Sequence, residues 1–257
     1  MTEILNTVSN GDGTGTPLLI AHGLFGTARN WGVLAKRLAD GRQVIAVDMR
    51  NHGSSFRAAS NTYSDMAGDL ARVIENRGGK ADVLGHSMGG KAAMMLALTR
   101  PDLVEKLIVA DIAPVAYSHS QLDKITAMQA VDLSVVTRRR DADEQLIGAV
   151  KDAALRSFLL QSLTLGEEGA SWKLNLDVLG AAMSDIIGFP DVDATFEGEV
   201  LFLHGGNSDY VQPAHHQHIL TLFPNARFEV IEGAGHWLHA EKPREFEAAV
   251  RGFLGTA

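Results

Sequence analysis

Residues 85–89, GHSMG, place a serine between glycines in the pattern G-x-S-x-G. An apolar run precedes Ser87 and a run with helical periodicity follows it, so this serine falls at a tight turn between a predicted strand and a predicted helix. Such a turn exposes the hydroxyl at the carboxyl edge of a sheet, where the N-terminus of the helix stabilises negative charge. The pattern predicts Ser87 as a nucleophile for acyl transfer. A purely structural serine is the alternative.

A serine hydroxyl needs a base to take its proton. His236 is the predicted base, because EGAGHW ends the last predicted strand and this histidine follows Ser87 in the expected chain order. The acid that orients the imidazole has two candidates. Asp111 directly ends the strand KLIVA, whereas Asp209 follows VLFLHGGNS one residue later than an H-G-x-x-D spacing, which lands on Ser208. We favour Asp111 and keep Asp209 as the alternative acid.

Two backbone N–H groups must face the negative charge that develops on the substrate oxygen. Met88, the residue after the predicted nucleophile, is expected to supply one of them. Leu24, in the loop HGLFGTARNW after the first apolar strand, is expected to supply the other. Phe25, His86 and Trp237 adjoin these positions in sequence and are predicted to contact the substrate.

The elements that position these residues follow from the hydrophobic pattern. Apolar runs rich in Val, Ile and Leu alternate with amphipathic helical segments, which indicates a parallel sheet covered by helices on both faces. The predicted strands lie at 16–23, 42–53, 81–87, 104–114, 198–206 and 226–236. The predicted fold class is therefore α/β, with a mostly parallel, doubly wound sheet.

The alternation of strands and helices stops after Pro114. Between residues 115 and 195 the sequence shows helix-like patterns alone, including ITAMQAVDLSVV and EQLIGAVKDAALRSFLLQSL. We predict one core domain, formed by residues 1–114 and 196–257, that is interrupted by a helical cap over residues 115–195. The cap is expected to set substrate size and to gate entry, with FLLQSL and LNLDVL as its apolar lining.

Composition excludes several classes of protein. The 257-residue chain has a formal net charge of −8, which argues against binding to nucleic acid or to anionic membranes. It has no cysteine, so disulfides and cysteine-based metal sites are excluded. No secretory signal or long apolar run is visible, and a cytoplasmic location is expected. The oligomeric state stays open between a monomer and a homodimer.

The ten histidines do not suggest a metal site. His215, His216 and His218 are close in sequence, but only the first and last share a helix face and no carboxylate lies near them. A solvated helix face is the simpler interpretation, and we predict no metal ion. His22, at the exit of the first apolar strand, is interpreted as structural.

Several segments together resemble the YbfF-type esterases of the α/β-hydrolase superfamily. They are HGLFGTARNW, VDMRNHGSS, GHSMGGKAAMMLAL, VADIAPV, GGNSDYV and GAGHWLHAEKP. The resemblance implies Ser87 as nucleophile, His236 as base and Asp111 as the acid after the sixth strand, where the cap would be inserted. It further implies hydrolysis of carboxylic esters or acyl thioesters without a cofactor, with a small-molecule ester as partner. Lys91, just after the turn, is predicted as a helix-surface or supporting cation without a catalytic role.

The same three side chains serve other chemistries on this fold, because a fold does not determine its reaction. Cofactor-free haloperoxidation, lactone opening and carbon–carbon hydrolysis therefore stay open as alternatives. A non-catalytic receptor that keeps the pocket is a further alternative from a different class.

Overall fold

The computed structural model describes residues 3–255, in which one large sheet is covered by helices on both faces. The nine strands of this part of the chain are β1 (Thr7–Asn10), β2 (Gly15–Ala21), β3 (Arg42–Val47), β4 (Ala81–His86), β5 (Val104–Ala110), β6 (Leu163–Gly166), β7 (Gly169–Trp172), β8 (Glu199–Gly205) and β9 (Ala226–Ile231). The helices are α1 (Gly32–Leu38), α2 (Tyr63–Glu75), α3 (Met88–Thr99), α4 (Leu122–Gln129), α5 (Arg139–Leu146), α6 (Ala153–Leu159), α7 (Leu176–Ala181), α8 (Met183–Ile187), α9 (Pro213–Leu222), α10 (Leu238–Glu241) and α11 (Pro243–Leu254). None of these described helices has the length and apolar character that crossing a bilayer requires.

The large sheet has seven strands in the order β1-β3-β2-β4-β5-β8-β9. Every neighbouring pair is parallel except β1 with β3. The predicted α/β class with a mostly parallel, doubly wound sheet is confirmed. The insertion follows β5, the fifth strand of the described residues, and not a sixth strand as predicted. Among these residues, β1 alone precedes the four parallel strands β2 to β5.

The central strands are apolar throughout because both of their faces are covered. On β4 and β5, Val83 and Leu107 pack on the side of α2 and α3, while Leu84 and Ile108 pack on the side of α1 and α11. All four side chains are fully buried. Successive side chains of a strand point to opposite faces, so a strand covered on both sides needs an apolar residue at each position. This packing fixes the carboxyl ends of β4 and β5, from which the candidate site is built.

The insertion is less helical than the sequence suggested. Strands β6 and β7 form an antiparallel hairpin across the turn at residues 167–168, where helix alone was expected. The predicted helix over residues 144–163 is also wrong, because α5 ends at Leu146 and α6 begins at Ala153. Asp152 caps α6 by accepting hydrogen bonds from the first-turn amides, which fixes a new helix start there. The short α4, α7 and α8 complete the insertion.

Candidate active site

Ser87 sits at a sharp turn between β4 and α3. Its backbone has φ 52° and ψ −120°, a conformation that is strained for a residue with a side chain. The flanking glycines explain why the chain can turn so tightly. A Cβ on Gly85 would lie 2.2 Å from the Gly89 carbonyl oxygen, and a Cβ on Gly89 would lie 2.3 Å from the Ala21 carbonyl oxygen. Substitution of either glycine would therefore push the turn apart.

The structure brings Ser87, His236 and Asp111 together from three distant segments. His236 Nε2 lies 3.1 Å from Ser87 Oγ, and His236 Nδ1 lies 2.7 Å from Asp111 Oδ2. A carboxylate only accepts hydrogen bonds, so the imidazole carries its proton on Nδ1. Nε2 is then free to accept the proton of the Ser87 hydroxyl. This arrangement can perform general-base activation of a hydroxyl nucleophile.

Asp111, unlike Asp209, is built into the site. Its side chain is fully buried, and it also accepts hydrogen bonds from Gly205 N–H at 3.0 Å and from Ser208 Oγ at 2.5 Å. These donors hold the carboxylate toward His236. Asp209 is exposed, and its backbone carbonyl accepts a hydrogen bond from Gln212. The H-G-x-x-D position therefore holds a serine that supports the acid of another strand.

Two aromatic side chains hold His236 in place. The ring of Tyr210 stacks on the imidazole, with centroids 4.0 Å apart and an interplanar angle of 21°. Behind it, His86 Nε2–H donates to the His236 carbonyl oxygen at 2.9 Å. His86 was predicted to contact substrate; only 4% of its surface is exposed, and its hydrogen bond holds the His236 loop. Burial lowers the pKa of His86 well below its usual value, so the ring is neutral.

His239, three residues after His236, extends this cluster of aromatic rings. Its imidazole stacks on Trp31, with centroids 4.4 Å apart and an interplanar angle of 11°. Burial, reinforced by the nearby His236, lowers the pKa of His239 to about 3. The ring is therefore a neutral packing element at physiological pH, and its Nδ1 is buried without a protein partner among residues 3–255.

The loop after β2 presents backbone amides beside Ser87. A Cβ on Gly23 would lie 3.1 Å from the Ser87 Cβ, which shows how closely the loop approaches. Phe25 has φ 66°, and its N–H donates to His52 Nε2 at 3.3 Å. The Phe25 amide is therefore occupied, and Leu24 N–H stays the candidate donor of this loop. Burial lowers the pKa of His52 to about 3, which keeps the ring neutral and able to accept.

Met88 provides the second candidate donor. It is the first residue of α3, and the first amides of a helix have no acceptor within the helix. Leu24, Met88 and Ser87 line the same cavity, and the two amides stay the predicted donors. His22 supports the same loop, since its Nδ1–H donates to the Gly23 carbonyl at 2.8 Å and its Nε2 accepts from Met49 N–H at 2.9 Å. This matches the structural interpretation of His22.

A cavity of about 900 Å³, counted with its open mouth, lies over Ser87. Phe25 and Trp237, both predicted to contact substrate, line it, as do His86 and Leu24. The insertion contributes four apolar side chains: Leu155, Phe158, Ile186 and Ile187. Of the predicted lining segments FLLQSL and LNLDVL, only Phe158 reaches the cavity.

Sequence reasoning missed two residues of this site. Ser208 and Tyr210 lie in one turn after β8, and each contacts a member of the Ser-His-Asp group. Lys91 is buried beneath the cavity, so of its two predicted roles the helix-surface one is wrong and the supporting one stays a prediction. The segment GGNSDY places an aromatic residue, Tyr210, directly after Asp209. The stacking of this ring on His236 depends on long-range packing, which the segment alone does not predict. Among residues 3–255 no cluster of three possible metal ligands occurs.

The model of the alpha/beta hydrolase family matches residues 18–249 of the chain, which span every element of this site. The chain belongs to the alpha/beta hydrolase family. The resemblance stated from the sequence is confirmed, and so is the prediction that the protein is a hydrolase enzyme.

The proteins to which this hydrolase is similar include a lipase, an esterase and a protein of known structure. It is 44% identical over 254 residues to the sn-1-specific diacylglycerol lipase ABHD11 of Mus musculus, covering 95% of this chain and 83% of that protein. It is 40% identical over 241 residues to the esterase YbfF of Escherichia coli strain K12, covering 93% of each chain. A solved structure described as a marine microorganism esterase superposes with a TM-score of 0.94 at 37% identity, covering 98% of this chain and all of that one.

Proposed function

We propose that this hydrolase is a serine esterase that cleaves carboxylic esters through an acyl-enzyme intermediate. The observation that carries the proposal is the position of His236, whose two ring nitrogens face Ser87 Oγ and Asp111 Oδ2 at hydrogen-bond distance. The esterase and lipase names of the relatives support the same substrate class.

In the first half of the reaction, His236 Nε2 takes the Ser87 proton as the serine oxygen bonds to the acyl carbon. The carbonyl oxygen becomes negative and is held by the N–H groups of Leu24 and Met88. The carbonyl then reforms, the bond to the leaving oxygen breaks, and the imidazolium donates its proton to that oxygen. An alcohol departs and the acyl group stays on Ser87. A thiol leaves in the same way from a thioester.

In the second half, water takes the place of the alcohol. His236 removes a proton from the water, and the water oxygen bonds to the acyl carbon. The same amides stabilise the second negative intermediate, which collapses by breaking the bond to Ser87 and returning the proton to its oxygen. A carboxylic acid leaves. Asp111 keeps the imidazole oriented and stabilises its positive charge in both halves.

The cavity supports an apolar acyl group as the recognised part of the substrate. Its lining combines Leu24, Phe25 and Trp237 of the core with the four apolar side chains of the insertion. Burial of each methylene against such a wall contributes about 0.8 kcal/mol. In the proposed function, residues 115–195 act as a cap that selects the acyl group by length and excludes water from the adduct.

The test compares Ser87→Ala with Ser134→Ala, an exposed serine of the insertion. A fluorophosphonate probe is expected to label the wild type and the Ser134 variant but not the Ser87 variant. Hydrolysis of p-nitrophenyl butyrate should fall by at least about a thousandfold for Ser87→Ala alone. Full activity of Ser87→Ala, or labelling that persists in it, would overturn the proposal.

A further inference from the structure

Lys91 lies one helical turn after Ser87 and has only 1% of its surface exposed. Its ammonium group donates to three backbone carbonyls: Val115 at 2.8 Å, Ile187 at 2.9 Å and Gly188 at 2.5 Å. A lysine ammonium has three N–H donors. All three are therefore used within the protein, and none is left to bind a substrate.

The three acceptors belong to the two ends of the insertion. Val115 lies where the chain leaves the core after β5, and Ile187 and Gly188 lie where α8 ends. The two ends also bind each other, because Tyr117 N–H donates to the Ile187 carbonyl at 3.0 Å. Lys91 thus connects both ends to α3, the helix whose N-terminus carries the nucleophile.

Two tyrosine rings enclose the ammonium group. Lys91 Nζ lies 4.7 Å from the centroid of Tyr117 and 5.8 Å from that of Tyr63, within the range of cation–π attraction. Tyr63 also donates its hydroxyl to the Ile186 carbonyl at 2.6 Å. The carbonyls next to the cavity-lining side chains of Ile186 and Ile187 are therefore fixed to the core by two polar groups.

We propose that Lys91 is a positioning residue that clamps both ends of the insertion to α3 and thereby sets the acyl-chain length that the cavity accepts. The proposal rests on the esterase function above. Burying a cation is unfavourable, and burial lowers the pKa of Lys91 to about 7. The three hydrogen bonds, which no apolar side chain could make, explain why a lysine occupies this buried position.

The experiment compares Lys91→Met with Lys106→Met in the full-length protein. Lys106 is a matched control, because its Nζ also donates to a backbone carbonyl, that of Phe253 at 3.1 Å, and lies over an aromatic ring, but far from the insertion. Lys91→Gln keeps two N–H donors and serves as the conservative variant. Steady-state kinetics with p-nitrophenyl acetate and p-nitrophenyl octanoate give KM and kcat for each variant.

Loss of the clamp should raise the KM for the octanoate at least about tenfold in Lys91→Met. A change of this size corresponds to the binding free energy of about two methylene groups. The KM for the acetate and both kcat values should change less than about threefold, since an acetyl group has only a methyl to bury against the cavity wall. Lys91→Gln should be intermediate and Lys106→Met unchanged. Wild-type KM values in Lys91→Met, or an equal loss of kcat for both esters, would overturn the proposal.

Hydrogen exchange tests the clamp without relying on catalysis. Peptides covering residues 113–120 and 185–190 should exchange faster in Lys91→Met or Lys91→Gln than in the wild type, while β3 stays protected. Unchanged exchange at both ends overturns the clamp. If Lys91→Met does not fold, Lys91→Gln carries both readouts. A wild type without esterase activity contradicts the proposed function, and the exchange result then still tests the clamp.

Discussion

Ser208 donates its hydroxyl to the carboxylate of Asp111 across a distance of 2.5 Å, although the two residues are 97 positions apart. The turn after β8 therefore supports an acid that comes from the neighbouring strand β5. Asp209, the next residue of the same turn, points to solvent. This relationship separates the two candidate acids, because one is enclosed by donors and the other is hydrated.

Substitution of the two acids should give opposite results. Asp111→Asn should lower kcat by about a thousandfold to ten-thousandfold, because the amide stabilises the wrong imidazole tautomer and cannot balance its positive charge. Asp209→Asn should stay within about twofold. Ser208→Ala should be intermediate, near tenfold, since the carboxylate keeps Gly205 and His236 as partners. A larger loss in Asp209→Asn than in Asp111→Asn would refute the assignment.

The stacked ring of Tyr210 should contribute to catalysis through the charged form of His236. Tyr210→Phe keeps the aromatic face and should retain kcat/KM within about twofold. Tyr210→Leu removes the face and should lower kcat about fivefold, corresponding to about 1 kcal/mol of cation–π stabilisation. Stopped-flow or steady-state measurements on p-nitrophenyl butyrate give the comparison. Equal activities of the leucine and phenylalanine variants would show that the ring acts only as packing.

The strands and the nucleophile turn are predictable from the sequence because their signals are local. The apolar runs of β4 and β5 indicate buried strands, and the glycines around Ser87 indicate a tight turn. His236 follows from its place at the end of the last strand. These features need no knowledge of how distant segments meet.

The remaining features depend on contacts between residues that are distant in the sequence. The sequence left Lys91 open between a helix-surface and a supporting cation, and only the return of residues 187–188 shows that it is buried. The hairpin of β6 and β7 is short, and its attachment to α4 of the insertion has no local signal; there Trp172 Nε1–H donates to the Met128 carbonyl at 3.0 Å. Ser208 likewise finds Asp111 only when β5 and β8 pair.

Acid should destabilise the protein through its buried histidines. The pKa of His239 is about 3 in the folded state against 6.5 in the unfolded chain. Between these values the unfolded state binds the extra proton, so the free energy of unfolding falls as the pH falls below 6.5. His239→Phe keeps the ring that stacks on Trp31 and removes the titration. Its loss of stability from pH 7 to pH 5 should be smaller by up to about 2 kcal/mol.

Urea unfolding at both pH values measures this difference. Since His52 and His86 also have lowered pKa values, the variant should keep part of the acid sensitivity. An identical pH dependence in the wild type and His239→Phe would contradict the prediction, because it would mean that His239 binds a proton as readily in the folded state as in the unfolded state.

Lys91 should give the protein a second pH dependence on the alkaline side. Its pKa is about 7 when folded and 10.5 when unfolded, so above pH 7 the unfolded state holds a proton that the folded state has lost. The free energy of unfolding should therefore rise from pH 7 to pH 9 through this group, by less than the full shift corresponds to because the neutral amine keeps only two N–H donors for the three carbonyls. Above pH 10 the raised pKa values of Tyr63 and Tyr117 act in the opposite direction. The rise should be absent in Lys91→Met and present in Lys106→Met. A rise of equal size in Lys91→Met would assign it to another group.

The central claim is that an acyl group passes through Ser87. Rapid acid quenching during turnover of p-nitrophenyl butyrate, followed by mass spectrometry of proteolytic peptides, tests it most directly. We expect a butyryl group on the peptide that contains Ser87, formed in the same burst that releases one equivalent of p-nitrophenol. Sustained turnover with no acyl group on Ser87 at any quench time, or with the adduct on another residue, would contradict it.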